Sequence, residues 1–389
     1  MILFIISLAA FYLPYEISII PSVIRILPYF RYICGGLMII YFFLLYAGSL
    51  RVFRDNWYLW ASAAFIAVLI YSTYINQADM ESALGNKGIA AFFLVLIVAV
   101  FFKVDAKTFL LTGFFLLLLV NIANTYTVFA YEDVGMWYEW ETWKDVHYSL
   151  VGNYNRGVEY VLPMAVCGSA YAMRYGKWLE FLNYPAMIMS IIMAWKCDSQ
   201  TQIIVFAVIL AAMIIGDIAM ASKVFAKILR IFNPVIMVGL DAAIFIAVVL
   251  LNKTNWVEKI GLDPEFHGRR HIWNMALEWI HEKPVWGSGL ETVYVKSSKI
   301  VGYAHCHSWF LDVAYMTGIV GSLCVIGMLV AVVIAIWRQK HDRLAYILSM
   351  MAFALCLTNL FETYTVTFFV FTLALIYYAA KCGSDTNIS

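Results

Sequence analysis

Residues 318–337 read GIVGSLCVIGMLVAVVIAIW, twenty positions without a charged side chain, and Arg338-Gln339-Lys340 follow at once. A helix needs about 20 mostly apolar residues to cross the hydrocarbon core of a bilayer, so this stretch reads as a membrane span closed by a basic loop. The same ruler, carried outward, marks apolar stretches at 1–13, 32–49, 57–75, 88–102, 108–128, 157–173, 180–194, 201–219, 234–251, 318–337, 344–360 and 364–380. These twelve stretches predict an all-α polytopic membrane protein with about twelve transmembrane helices. The first stretch lacks a basic leader and a small-residue cleavage site, and Tyr12, Pro14 and Tyr15 follow it, so it reads as a retained span.

Charge in the short connections alternates. One set holds Arg51 and Arg54, Lys103 and Lys107, Arg174 and Lys177, Lys223, Lys227 and Arg230, then Arg338, Lys340 and Arg343, with Lys381 at the tail. Basic residues in short loops mark the cytoplasmic side, which puts both termini inside. The opposite side receives Asp79 and Glu81 and the long segments 129–156 and 252–317. We expect one membrane domain over 1–389, with 252–317 as an extracytoplasmic loop. Composition agrees: 63% of the residues are hydrophobic and 13% charged, against about a quarter charged in ordinary soluble domains. A net charge of +1 leaves no bulk field for nucleic acid. Seven cysteines carry no CxxC pair, and most lie in apolar stretches as buried thiols; a Cys197–Cys306 disulfide is the minority reading.

The two long outer segments differ. Segment 129–156 crowds Trp137, Tyr138, Trp140, Trp143 and Tyr148. An aromatic belt at headgroup level is the first reading, and a platform for stacking sugar rings the second. In the other segment Pro264 and Gly268 precede a helical pattern, with Ile272, Met275, Ala276 and Trp279 on one apolar face. An amphipathic helix lying on the outer membrane surface is implied. Arg269, Arg270 and His271 sit at its N-terminal end, where unpaired N–H groups and guanidiniums favour phosphate. Taken alone, those arginines read first as lipid-headgroup contacts. The helix closes at Pro284, a Gly287-Ser288-Gly289 turn follows, and His305-Cys306-His307-Ser308 leads into the last cluster of spans.

A histidine there has two readings. Its unperturbed pKa near about 6.5 suits a base, while bonding to a backbone carbonyl or headgroup is the plain alternative. Both stay open for His307; His305 reads as structural. No HExxH or comparable spacing supports a metal, and none is expected. Arg156 and Glu159 at a span mouth suit an ion pair or a second anion contact, and Lys196 adds a further outer cation. Asp241 falls inside a span, where it is expected to snorkel or to hydrogen-bond between helices. Asp312, five residues after His307, is a candidate orienting partner.

His307-Ser308, nine residues, Gly318, two residues and Gly321 resemble the motif of the O-antigen ligase and O-antigen or capsule polymerase superfamily, the Wzy type. Gly268-Arg269-x-x-Ile272-Trp273, Ala276-Leu277 and Pro284-x-x-Gly287-x-Gly289 resemble the loop signature that precedes that histidine. The resemblance implies a metal-independent glycosyltransferase of the membrane-embedded C type, without cofactor, at the outer face of the bacterial cytoplasmic (inner) membrane. Its donor would be a glycan on undecaprenyl pyrophosphate, and its acceptor a glycan or lipid-linked hydroxyl. By the same carry-over His307 and Arg269 are catalytic: His307 orients or deprotonates the acceptor, and Arg269 meets the departing pyrophosphate. Arg270, Arg156 and Lys196 would add pyrophosphate contacts. One departure stands out. Asp198-Ser199-Gln200-Thr201 places Gln200 where the family often has arginine.

The reading is therefore a polymerase of O-antigen, capsule or exopolysaccharide at the cell envelope. The alternative is a ligase moving finished glycan to lipid A-core or protein. A lipid-linked-sugar transporter is more distant, because transporters hold substrate near the midplane; a non-catalytic scaffold is the remaining option.

Overall fold

The computed structural model describes residues 2–18, 20–46, 56–85, 87–131, 137–138, 145–146, 149–220, 229–250, 269–299, 305–339 and 342–382. The described residues are mostly helical, joined by turns, with a two-residue antiparallel pairing of Trp137–Tyr138 with Asp145–Val146. The helices are α1 (Ile2–Phe11), α2 (Pro21–Leu45), α3 (Trp57–Ile75), α4 (Ile89–Ala130), α5 (Val158–Arg174), α6 (Glu180–Lys196) and α7 (Gln200–Met220). They continue as α8 (Pro234–Ile244, extended by a π-helical turn Phe245–Leu250), α9 (Arg269–Glu282), α10 (Val293–Lys299), α11 (Trp309–Trp337), α12 (Asp342–Phe361) and α13 (Val366–Lys381). Among the described residues six helices are long and apolar enough to cross a membrane. The remaining apolar stretches form shorter helices, so the fold is an all-α membrane protein. Trp140, Trp143, Tyr148 and all of 252–268, with Pro264 and Gly268, lie outside the described residues, as do Arg51, Arg54, Lys223, Lys227 and Lys340.

Local chemistry explains where these helices bend and start. The stretches 88–102 and 108–128 join into α4, which breaks at Asp105 (φ −157°, ψ 81°). There the Asp105 carboxylate accepts from the Thr108 amide at 3.0 Å and recaps the second half. Helix α2 begins eleven residues before the expected 32–49 span. Pro21 occupies its first turn, where a missing N–H costs nothing, and Pro28 continues inside it.

Burial sorts the helices into two sets. In α4 every residue from Leu94 to Val100 is buried, and in α13 every residue from Phe368 to Ala380, so the first half of α4 and nearly all of α13 are enclosed on all sides. Outer helices instead expose large apolar side chains: Ile24, Ile33 and Phe43 on α2, Ile204 and Ile218 on α7, Ile319, Leu323 and Ile326 on α11. An exposed apolar face of that extent suits lipid as its solvent. Asn121 donates to Ser190 at 2.9 Å, and Asn124 accepts from Ser149 at 2.7 Å and from the Val151 amide at 3.2 Å. Such bonds join helices where apolar contact alone is weakly directional. Asp241 behaves differently from expectation. It is buried, and neither carboxylate oxygen has a hydrogen-bond partner among the described residues. It therefore neither snorkels nor bonds across helices.

Polar groups collect at both ends of the bundle. At one end Arg343, 7% exposed, holds Glu180 at 2.8 Å and also Asp217, tying α12 to α6 and α7. Gln339 donates to the Ala380 carbonyl at 2.9 Å beside them. Arg343→Met should strand two carboxylates and lower stability by about 1–3 kcal/mol. A thermal melt in detergent checks this, and an unchanged midpoint would remove the cluster from the account of stability. The other end holds the candidate site.

Candidate active site

The loop between α9 and α11 is clamped to the bundle by its own backbone. Helix α11 breaks at Gly318 (φ +62°), which exposes carbonyls and amides that a regular helix would satisfy internally. The Pro284–Gly289 segment takes them up. Ser288 N–H donates to the Tyr315 carbonyl at 2.8 Å and Gly289 N–H to Met316 at 2.9 Å. Ile319 N–H returns to the Pro284 carbonyl at 2.8 Å. A Cβ on Gly318 would stand 2.3 Å from the Val285 oxygen, and one on Gly287 would stand 2.6 Å from the Met316 carbonyl carbon. Gly287 and Gly318 are thus a packing requirement between loop and helix. Ser72 donates to the Met316 carbonyl at 2.7 Å, and Asn76 to that of Gly287 at 3.0 Å, so α3 braces the same joint.

Helix α9 is held by its apolar stripe. Ile272, Trp273 and Ala276 are buried together with Leu311 and Tyr315 of α11, and the Trp273 ring lies 6.5 Å from that of Phe361. The expectation of a helix resting on the membrane surface is corrected here: its apolar face packs on the protein. The stripe is continuous enough for either role, and only the neighbouring helices decide between them.

This packing sets the first residue of α9 beside the turn joining α12 to α13. Arg269 donates to the Phe361 carbonyl and forms an ion pair with Glu362 Oε2 at 3.0 Å. The other carboxylate oxygen, Oε1, lies 3.3 Å from His307 Nδ1. Trp309 N–H donates to the Glu362 carbonyl at 3.2 Å, which fixes the start of α11 on the same turn. Glu362 thus joins the two residues that the motif singled out. Its carboxyl is held down to about 2: burial alone would raise it, but the His307 hydrogen bond and the Arg269 charge outweigh that. An ionised Glu362 only accepts, so the contact requires the proton on His307 Nδ1, leaving Nε2 as the accepting nitrogen.

His307 sits in the left-handed backbone region (φ +47°), a conformation that costs a non-glycine residue about 1–3 kcal/mol. Its amide donates to His305 Nδ1 at 3.3 Å, and the two rings meet edge-on with centroids 4.2 Å apart. Burial first, and then the nearness of His307, push His305 down to about 4, so it is neutral near pH 7. Asp312 is not the partner of His307. It pairs with Lys296 and accepts from the Cys306 amide at 3.2 Å, because its position on α11 turns it toward α10. Cys197 and Cys306 are separate buried thiols without a disulfide.

A cavity of about 680 Å³ adjoins this group; His305 and Thr363 belong to its wall. Arg156 faces it, with Glu159, Arg31, Lys87 and Lys296. Glu159 accepts from the Thr365 amide at 3.0 Å. Arg270 follows Arg269 on α9 and is half-buried, and Lys196 ends α6; among the described residues neither lines the cavity. Sequence reading passed over Glu362, Arg31, Lys87 and Lys296. Glu362 alone had a signal, as the single acid in a four-residue turn between two apolar spans.

Ligand-capable atoms of His305, His307 and Glu362 lie within 4.8 Å of one another. Zinc needs three or four lone pairs turned toward it. Here Glu362 already serves Arg269 and His307, and His305 Nδ1 accepts from a backbone amide. A second cation beside Arg269 would also face its repulsion, so the donor set fits a metal poorly.

No curated protein matches this chain. Residues 148–326 match the family model described as O-Antigen ligase, a segment containing Arg156, Arg269, His307, Gly318 and Gly321 and ending before Glu362. Over residues 148–326 this membrane protein is similar to the O-antigen ligase family, the resemblance carried by the His307 and Arg269 motifs.

Proposed function

We propose that the chain is a membrane glycosyltransferase that moves a glycan from undecaprenyl pyrophosphate to an acceptor hydroxyl, acting as a polysaccharide polymerase. The observation that supports this best is the Arg269–Glu362–His307 group, whose chain neighbours His305 and Thr363 belong to the wall of a cavity facing several cations. In this reading His307 Nε2 takes the proton of the acceptor hydroxyl while Glu362 holds the ring by Nδ1. The acceptor oxygen bonds to the anomeric carbon, the bond from that carbon to the pyrophosphate oxygen breaks, and the lipid pyrophosphate leaves with the electron pair. Arg269 stabilises the charge growing on the leaving group with N–H donors beyond those given to Glu362 and Phe361. Arg156 adds charge from the cavity wall, with Arg270 and Lys196 as outlying contacts. A pyrophosphate ester supplies the transfer potential, so the step needs neither nucleotide nor metal. The site would face outward from the bacterial inner membrane, with 252–317 as its loop, as the basic-loop alternation implies.

The test uses purified protein with a lipid-linked oligosaccharide donor. His307→Ala and Arg269→Ala should each slow transfer by about 10²-fold or more. Wild-type rates in both variants would sink the enzymatic reading of this site. Products separate the versions: a ladder of lengths on the lipid carrier supports the polymerase, and one transfer to a distinct acceptor makes it a ligase. A transporter is disfavoured by the location of the polar group, at the end of the bundle among inter-helix turns.

A further inference from the structure

A buried ion pair stands beside the site without a part in the chemistry above. Lys296 of α10 and Asp312 of α11 are 7% and 2% exposed and bond to each other. Burial alone would pull the Lys296 ammonium down, but the Asp312 carboxylate outweighs it and holds the proton above its ordinary range, so both partners stay charged. Such a pair does little for stability, because desolvation cancels most of the attraction; apolar side chains would serve the fold as well. Asp312 also makes a contact that no apolar residue could make. Its Oδ1 accepts the Cys306 amide at 3.2 Å, reaching back past the start of its own helix. That start has no cap of its own, since the Ser308 side chain accepts no backbone N–H. His307 follows Cys306 directly, in a left-handed conformation that persists only where its neighbours over-determine it. The chain around it is pinned on one side by Asp312 at the Cys306 amide, and on the other by the Glu362 carbonyl at the Trp309 amide. Helix α10 is braced in turn. Lys296 lies 5.0 Å over the Tyr315 ring, Tyr315 donates to Glu291 at 2.5 Å, and Glu291 pairs with Lys299. Trp279 of α9 donates to the Lys299 carbonyl at 3.3 Å.

We propose that the Lys296–Asp312 pair is a positioning device for His307: Asp312 holds the Cys306 amide, and Lys296 fixes the carboxylate that does so. Asp312 works through the main chain, one residue away, and sets the turn from which the His307 ring reaches Glu362. Glu362 then selects the tautomer of a ring whose place is already set. The task of that ring rests on the glycosyl-transfer reading; its position and tautomer do not.

Two double variants separate this role from the fold. Lys296→Met with Asp312→Leu replaces the pair by apolar side chains of similar size and removes the acceptor. Lys296→Met with Asp312→Asn removes the same charges and keeps an oxygen for the Cys306 amide. Both should melt close to wild type, since neither strands a buried charge. The first readout is the ring-nitrogen NMR signal of His307 in labelled full-length protein in detergent, assigned by its loss in His307→Gln. Wild type and the asparagine variant should show one tautomer, protonated on Nδ1; the leucine variant should show both. With a lipid-linked oligosaccharide donor, the leucine variant should lose about 10- to 10²-fold in kcat at a similar KM, as a misplaced catalytic group does. The asparagine variant should stay near wild type. A wild-type His307 signal in the leucine variant overturns the proposal, as does an equal loss in both variants, which would assign the effect to charge. If leucine does not fit, Asp312→Ala with Lys296→Met removes the same acceptor with a smaller side chain. A tautomer that follows Asp312 in a protein that transfers no sugar would end the enzyme reading and leave the positioning in place.

Discussion

Glutamine in place of Glu362 is expected to lower sugar transfer by about 10²- to 10⁴-fold while leaving the protein folded. The substitution keeps the shape of the side chain and removes its charge. The Arg269 guanidinium then faces a neutral amide, and nothing compels His307 to carry its proton on Nδ1. Half of the molecules could present an Nε2–H to the acceptor, which cannot accept a proton. Because Glu362 acts through His307, the readout must distinguish positioning from simple collapse. The pH profile of transfer does so: its basic-limb and acidic-limb midpoints should shift in Glu362→Gln, whereas a purely structural defect would scale the whole profile down. A second measurement follows from the depressed carboxyl. Its folded value of about 2 lies below the ordinary 4.5, so the stability it contributes is complete above about 4.5 and is lost as pH falls toward 2. Wild type should therefore lose more melting temperature between pH 4.5 and 2 than Glu362→Gln does. Parallel melting curves for the two proteins over that window would show that the ion pair adds nothing to the fold.

Gly318→Val should be the most damaging single change in the loop motif, at about 4 kcal/mol or more, enough to deplete the folded protein. Two costs combine. A β-branched residue at φ +62° is held in a region that such residues rarely enter, and its Cβ would overlap the Val285 carbonyl at 2.3 Å. Relief requires the Pro284–Gly289 segment to leave α11, which breaks the backbone bonds at Tyr315, Met316 and Ile319 together. Gly36→Ala is the matched control. It sits in α2 with nothing within 4 Å of an added Cβ, and alanine favours the helix by about 0.5–1 kcal/mol. Yield and melting temperature in detergent give the answer. A Gly318→Val protein that melts with wild type would mean that the loop is not clamped as described.

Sequence alone determined the class of the molecule and most helix positions, because both follow from local composition. An uncharged run such as 318–337 must be a helix in a bilayer, whatever surrounds it, since its backbone can satisfy itself in no other way there. The glycine and proline spacing around His307 was legible for a similar reason: a broken helix and the turn that clasps it require those residues wherever they occur. Tertiary structure decided the partners. Glu362 lies 55 positions from His307 and 93 from Arg269, and Arg31, Lys87 and Arg156 line one cavity because the middle of α2 and the turns before α4 and α5 pack around it. Asp312, nearer in sequence, pairs with Lys296 because a helix fixes the direction of each side chain. Chain distance carries no information about which charges face one another once apolar packing has arranged the helices, and that arrangement selected both the carboxylate between Arg269 and His307 and the cations of the cavity.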